Sequence, residues 1–511
     1  MQTRLWGFAF ALFVTACTSE TPPGGDPGGD AGGHDASVEA HPDATPSDGT
    51  VAGDGANDAS LGDAPTDQAG EAGTGDDAQV EGALPDSSQM SDVTNADPDG
   101  APTGSISHPC SLPGSVQFTA NGRYVVPGAA TAAMGCTSTT GSSNLSYLTV
   151  PLGFCVHYFG NVGNVRQIRF APGGELFVAS PTTSTTGGGA CGQNAIIVLT
   201  DDNADGVADA PAITFLSGLP STQGLLFANG YFYYQDASRI MRVRYTRGER
   251  RPSGAAEKVA DIAQSAKQDS LHWPKTLDIA DDGSIYVGNG GSQDDTCYAA
   301  GGAPVRGAVL KLDGTPGGTP IVQGLRNPIA VRCARGHNRC FGLELAKDYS
   351  AAEGGREKLF PIVAGNNWGF PCCATTGLPY KDVMPIPDCS GVTPDSNGFL
   401  IGDTPFGVDF ESGVWPDPWR NRAFVATHGA AGSWTGARLV AIAMDPATGL
   451  PLPSSNATGP DTGAMSEFAS GWDNGTLMHG RPAAVAFNPD GRLFLANDAT
   501  GDIVWIAPLG L

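Results

Sequence analysis

Basic residues are scarce in this chain, 28 against 53 acidic ones, and between residues 18 and 107 there are none. A net charge of −25 argues against nucleic acid as a partner, because a polyanion needs a cationic surface. Long apolar runs are missing beyond the N-terminus, so no membrane-spanning helix is expected there. Helical periodicity is nearly absent, which disfavours an α/β barrel of similar size. No paired Cys-x-x-Cys set occurs, so the cysteines do not read as a zinc centre.

The chain starts MQTRLWGFAFALFVTACTSE. Arg4 precedes an apolar run from Leu5 to Val14, too short to span a bilayer and suited to the core of a secretory signal. Val14-Thr15-Ala16-Cys17 resembles the lipobox of bacterial lipoproteins, which implies cleavage before Cys17 and acylation of its sulfur. Residues 1–17 are therefore expected to direct export, with lipid anchoring on the periplasmic, outer-membrane or cell-surface side. Residues 18–107 hold 19 of the acidic residues among Gly, Ala, Pro, Ser and Thr. Such a segment buries too little to offset its ordering entropy and reads as an extended, self-repelling linker. With it and Arg4 set aside, residues 108–511 carry about −7, an ordinary soluble surface.

Ten cysteines follow Cys17, an even number that behind a secretory signal points to disulfides. CARGHNRC makes Cys333–Cys340 the best single pair. Cys372 and Cys373 either close on each other or take separate partners such as Cys389, separate partners being favoured by bridge geometry.

One phrase recurs through the folded part: an apolar strand, a glycine turn, an apolar strand. It reads IRFAPGGELFVAS (168–180), LLFANGYFYYQD (225–236), LDIADDGSIYVGN (277–289) and VAFNPDGRLFLAND (485–498), with looser copies at 329–345 and 408–429. Alternating apolar residues about such turns predict β-hairpins. Early copies are 50–60 residues apart, the scale of a propeller blade, and later intervals are longer, so blades four and five carry insertions. The fold class is therefore all-β, a six-bladed β-propeller over 108–511, with segment 115–165 supplying outer strands and ring closure. Loops gathered at one mouth of the channel favour a ligand site there.

Within DDNADGVAD, Asp201, Asn203, Asp205 and Asp209 stand at positions 1, 3, 5 and 9, with Gly206 for the turn and Val207 offering a carbonyl. Alternating oxygens of this kind wrap calcium, although Ala212 stands where an EF-hand has Glu. The loop is expected to hold a structural calcium, the alternative being an ion-free Asp-rich turn.

HWPKTLDIADDGSIYVGNGG, GLRNPIAV, EKLFPIVAGNNWGFP, TPFGVDFESGVWPDPWRNRAFVATHG and HGRPAAVAFNPDGRLFLANDATGDIVWI stand in this order over roughly 155–506. The set resembles the soluble glucose/sorbosone dehydrogenase family, most nearly its sorbosone-dehydrogenase-like branch. The resemblance implies a six-bladed propeller using pyrroloquinoline quinone (PQQ) and calcium to oxidise a sugar or related aldehyde. A respiratory acceptor would take the electrons. It places His272 as general base, Arg326 and Asn327 at the quinone or substrate, Arg481 on the cofactor carboxylates and His428 at the mouth. Three departures stand out. Gly291 occupies the place of an Asp that orients the histidine, with Asp294 and Asp295 further along. Ala483 replaces a second cofactor arginine, and the family's lysine has no obvious match. A catalytically silent propeller that binds carbohydrate or a partner protein is the alternative reading.

Overall fold

The structure is a computed structural model. It describes residues 106–118, 145–183, 191–263, 272–291, 297, 306–348, 354–381, 383–430, 436–455, 464–472 and 479–511. The export segment with Cys17, the linker up to residue 105, Cys136, Asp294 and Asp295 lie outside the described residues. Among the described residues there is no α-helix and no helix able to cross a membrane.

Two strands precede the repeats, β1 (Val116–Phe118) and β2 (Phe154–Asn161). Each repeated phrase then folds as an antiparallel hairpin that opens its own sheet. Blade one is β3 (Gln167–Phe170), β4 (Leu176–Ser180), β5 (Ala195–Leu199) and β6 (Ile213–Ser217). Blade two is β7 (Leu225–Ala228), β8 (Tyr231–Asp236), β9 (Arg239–Arg244) and β10 (Glu257–Asp261). Blade three is β11 (Leu277–Ile279), β12 (Ile285–Asn289), β13 (Ala308–Leu312) and β14 (Thr319–Val322). Blade four is β15 (Asn327–Ala334), β16 (Arg339–Leu345), β17 (Glu357–Pro361) and β18 (Asn397–Phe399). Blade five is β19 (Pro405–Phe410), β20 (Arg422–Thr427), β21 (Arg438–Ala443) and, after the two-residue β22 (Ser454–Ser455) that pairs with β18, β23 (Met465–Ala469). Blade six is β24 (Pro482–Phe487), β25 (Leu493–Asn497) and β26 (Asp502–Pro508), completed by β2 and then β1. An N-terminal strand thus closes the ring on the last blade, as expected for segment 115–165, and the insertions fall in blades four and five.

Three of the hairpins share a turn. Ala171, Ala280 and Asn488 each donate their N–H to the carbonyl four residues on (Glu175, Ser284, Arg492) at 2.8–2.9 Å. Six apolar clusters fill the ring, one between each pair of neighbouring blades. Leu226 and Ile240 of blade two meet Leu277 and Val287 of blade three; Val309 and Val322 of blade three meet Val331 and Phe360 of blade four. Each such side chain contributes roughly 1.5–3 kcal/mol on full burial. This two-sided packing is why the second strands, such as LFVAS and LFLAN, are buried at every position.

Cys333 and Cys340 are bonded across their hairpin, as expected. The vicinal cysteines take separate partners, Cys372 with Cys297 and Cys373 with Cys389. Cys110–Cys155 ties the N-terminal segment to β2, and Cys191 is also disulfide-bonded.

Candidate functional site

Neighbouring strands of a blade run antiparallel. Residues just before an innermost strand and just after the second strand therefore meet at one mouth. Aligned by hairpin register, Ile168, Leu225, Leu277, Val331, Val408 and Val485 are equivalent. Three blades repeat a β-bulge ahead of this position, between Pro328 and Ala330, Pro405 and Gly407, and Pro482 and Ala484. In four blades an X-Pro pair opens the strand: Trp273-Pro274, Asn327-Pro328, Thr404-Pro405 and Arg481-Pro482. Proline there sacrifices no ladder bond and fixes the entry of the chain. His272, Arg326, Asn327 and Arg481 all lie in this entry segment, and His428 follows β20. The structure thus brings all five predicted residues to one mouth, and all are buried.

His272 Nδ1 lies 2.6 Å from the carbonyl oxygen of Gly291, and Gly291 N–H donates to the carbonyl of Arg326 at 2.6 Å. A carbonyl only accepts, so Nδ1 carries the proton and Nε2 keeps the lone pair. The backbone of Gly291 thereby does the orienting that an Asp does in the resembled family. Burial first, then the charges of Arg326 and Lys275, push the His272 pKa down to about 4, against the Gly291 bond, which raises it. The histidine therefore stays unprotonated well below pH 6. Gly290 is required for this packing: a Cβ there would stand 2.8 Å from His272 Cβ and 2.9 Å from Asn327 Oδ1.

Arg326 is largely committed to structure. Its guanidinium donates to the Ala346 carbonyl at 3.0 Å and to Asp348 at 2.8 Å, and its backbone N–H to Glu344 at 2.7 Å. Asn327 is different. Its Oδ1 is buried without a hydrogen-bond partner.

A second cluster surrounds Asp498, which follows β25. Asp498 Oδ2 accepts from Arg166 at 2.6 Å and from His428 Nε2 at 2.8 Å. The Asp498 pKa is lowered, against its burial, by His428 and then by Arg166 and Arg481. His428 is held neutral, down to about 3, by burial and then by Arg481, against the attraction of Asp498. Arg481 donates its backbone N–H to Asn497 at 2.7 Å, and Nε points at the His428 carbonyl at 3.4 Å. Its pKa is lowered by burial and by Arg166, with Asp498 opposing. An anion placed between Arg166 and Arg481 would relieve that repulsion.

Arg166 was not found by sequence reasoning. It comes from blade one, yet its guanidinium lies 4.3 Å from the ring centre of Phe406 in blade five and 5.9 Å from that of Trp273 before blade three. Ala483, standing where a second cofactor arginine was expected, is wholly buried in the cluster between blades four and five. Arg166, in the register position of Ala483, supplies a second guanidinium from the neighbouring blade one. Aligning the six phrases and reading two places ahead of the first strand would have found it.

The candidate calcium loop is closed by its own donors. Asp201 accepts from the N–H of Asp205 at 3.0 Å and of Gly206 at 3.1 Å; Asp205 accepts from Val207 N–H at 2.9 Å and from the Asn203 amide at 2.9 Å. Asp209 accepts from Thr200 at 3.0 Å and from Asp202 N–H at 2.7 Å. The ligand spacing is present, but the oxygens face N–H and O–H groups. Among the described residues no three His, Cys, Asp or Glu side chains converge as a metal site.

Residues 142–349 match a family model described as a domain of unknown function, DUF7133. No curated protein sequence matches the chain. By structure it is similar to an iodide structure of a Trichoderma reesei carbohydrate-active enzyme of family AA12. There the identity is 17% and the TM-score 0.57, over 71% of this chain and 97% of that one. A calcium structure of the T. reesei AA12 protein gives 16%, 0.56, 71% and 97%. The holo form of the pyranose dehydrogenase PQQ domain from Coprinopsis cinerea gives 14%, 0.55, 70% and 96%. At these identities the likeness establishes the fold, an all-β six-bladed propeller spanning nearly the whole of each of those chains.

Proposed function

We propose that the chain is a PQQ-dependent dehydrogenase that oxidises a sugar or related aldehyde outside the cytoplasm. The observation that carries this reading is the state of His272, a buried histidine with Nδ1–H pinned to a carbonyl and Nε2 unprotonated, among unmet polar atoms. Asn327 Oδ1, Arg166 Nε and Asp498 Oδ1 are buried at that mouth without partners. Such atoms are costly unless a ligand meets them. Donors, acceptors and two guanidinium groups gathered at one mouth suit a planar, polar, carboxylate-bearing cofactor, which would enter by displacing side chains now packed there. Arg481 and Arg166 would hold its carboxylates and Asn327 a ring donor. PQQ, when bound, supplies the electron acceptor that no side chain can provide. His272 Nε2 would take the hydroxyl proton, and its low pKa keeps it ready to do so at neutral pH. Trp273 and Phe406, both buried, pack against Arg166 at the same mouth. The pyranose dehydrogenase domain shows that this fold can hold PQQ in another protein.

The disulfides fit an oxidising compartment. Export and anchoring through Cys17, with electrons passing to a respiratory acceptor, complete the proposal. Calcium belongs to it as the ion of the 201–209 loop, where binding would require the Asp oxygens to exchange their N–H donors for metal.

One observation favours the silent propeller. Arg166 stacks on Phe406, and His272 is only 3% exposed, so the mouth is filled by its own side chains. Titration of the full chain with PQQ and calcium, followed by absorbance and then by sugar-driven dye reduction, separates the readings. Saturable binding with turnover supports the enzyme. Absence of a spectral change at high PQQ supports the silent propeller.

A further inference from the structure

The mouth opposite His272 opens into a cavity of about 950 Å³. We propose that this cavity binds an aromatic carboxylate, at a site separate from the candidate oxidation centre. The repeat that builds the first mouth also builds this one. One place beyond the equivalent positions stand Arg169, Asp278, Arg332 and Asp409 in blades one, three, four and five. Arg169 reaches Asp278 at 2.5 Å, and Arg332 reaches Asp278 at 3.5 Å and Asp409 at 2.8 Å. Blades one and three are not neighbours, so the Arg169–Asp278 pair crosses the channel. The two carboxylates also accept inner-strand N–H groups from Ile279, Cys333, Phe410 and Phe487, which the sheets leave unpaired. This network forms a charged floor between the two mouths.

Two places beyond the equivalent positions stand Phe170, Phe227, Phe410 and Phe487. All four line the cavity, together with Tyr231, and all five are half-buried. They give an aromatic wall above the charged floor. The lining acids are turned to the backbone. Glu411 accepts from the N–H groups of Gly413, Val414, Trp415 and Asn421, and Asp445 from those of Ala447 and Thr448. The cations are less engaged. Arg422 donates through Nε to the Pro418 carbonyl at 2.5 Å but its Nη1 is buried without a partner; Arg247 meets no carboxylate among the described residues; Arg335 meets Asp281 only at 4.0 Å. In a chain of net charge −25, this mouth presents aromatic rings beside guanidinium groups that have no close carboxylate among the described residues, Arg247 and Arg422. A flat apolar ring carrying a carboxylate meets both.

The test is calorimetric titration of the full-length chain with 2-naphthoate and with the neutral 2-naphthylmethanol. Naphthoate is expected to saturate one site and to bind at least tenfold more tightly than the alcohol. Arg247→Ala combined with Arg335→Ala, both at exposed positions, should weaken naphthoate at least tenfold with the thermal midpoint kept. His272→Gln should bind it as the wild type does. Absence of saturable binding, equal affinity for acid and alcohol, unchanged affinity in the double variant, or loss in His272→Gln would overturn the proposal.

Discussion

The two mouths of this propeller are made by the same six repeats and differ in kind. At one, the residues ahead of each inner strand fold inward and fill the channel. His272, Trp273, Asn327, Phe406 and Arg481 are all buried, and the charges are coupled through Asp498. At the other, tight turns end the hairpins, the rings stand back and a cavity of about 950 Å³ remains. A propeller repeat fixes backbone positions, not contents. The entry segments carry polar residues of different kinds, blade by blade, whereas the turns of blades one, three and six keep one geometry. The first mouth therefore holds individual roles, and the second holds aromatic rings from four blades over a charge network.

The largest effect should come from breaking the network of the first mouth. Asp498→Ala removes the carboxylate that Arg166 and His428 share and leaves the buried Arg166 guanidinium without its ion pair. It should cost roughly 3–5 kcal/mol, the scale for an unpaired buried charge, read by denaturant unfolding. Arg335→Ala, exposed at the other mouth, should stay within about 0.5 kcal/mol of wild type. Comparable losses from both would erase the distinction between a coupled mouth and an open one.

Next comes linkage at His272. Its folded pKa of about 4 lies below the ordinary value of 6.5, so the unfolded chain binds the extra proton first as pH falls. The stability tied to a neutral His272 is complete above pH 6.5 and is lost between 6.5 and 4, on the order of 2–3 kcal/mol. The difference in unfolding free energy between wild type and His272→Gln should shrink across that window and be flat above it. Glu357 should show the reverse. Burial raises its pKa from 4.5 to about 8, so wild type loses stability relative to Glu357→Gln as pH rises between those values. A pH-independent difference in either pair would mean that the group is solvated.

A smaller contrast uses glycine. At Gly290 an added Cβ would meet His272 Cβ at 2.8 Å; at Gly230, on the opposite side, nothing lies within 4 Å, although φ is +73°. Gly290→Ala should cut turnover of the PQQ-loaded protein at least tenfold. Gly230→Ala should cost about 1 kcal/mol of stability through its backbone and leave turnover unchanged. A last contrast, local to one loop, concerns Asp201. Asp201→Ala loses two N–H bonds and should cost about 1–2 kcal/mol, seen as a lower denaturation midpoint. A penalty that grows when calcium is added would show that the wild-type loop exchanges its N–H donors for the metal.

Much of this was legible in the sequence, and the reason is locality. A hairpin is specified by a dozen neighbouring residues, so the six phrases announced six blades, and Cys333–Cys340 was readable because the pair closes one turn. The place of His272 at a blade mouth was legible because it precedes such a phrase, whereas its role as base came only from the family resemblance. Arg166 was not, since its role depends on Phe406, Trp273 and Asp498, three residues far apart in the chain. The commitment of Arg326 to Ala346 and Asp348 was equally hidden, as was the low pKa of His272, which is set by burial between blades. In the 201–209 loop the spacing of oxygens was readable, but the donors they face were not.

The central claim is that His272 acts as the proton acceptor through Nε2, held by the Gly291 carbonyl. The most direct measurement is the pH profile of turnover for wild type and His272→Gln, each loaded with PQQ and assayed with a reducible dye. The account predicts a wild-type profile that is level through neutrality and falls only as pH approaches about 4, and a loss of roughly a hundredfold or more in the variant with PQQ occupancy unchanged. Equal turnover in the variant, or a wild-type profile that rises through pH 6 to 7, would contradict it.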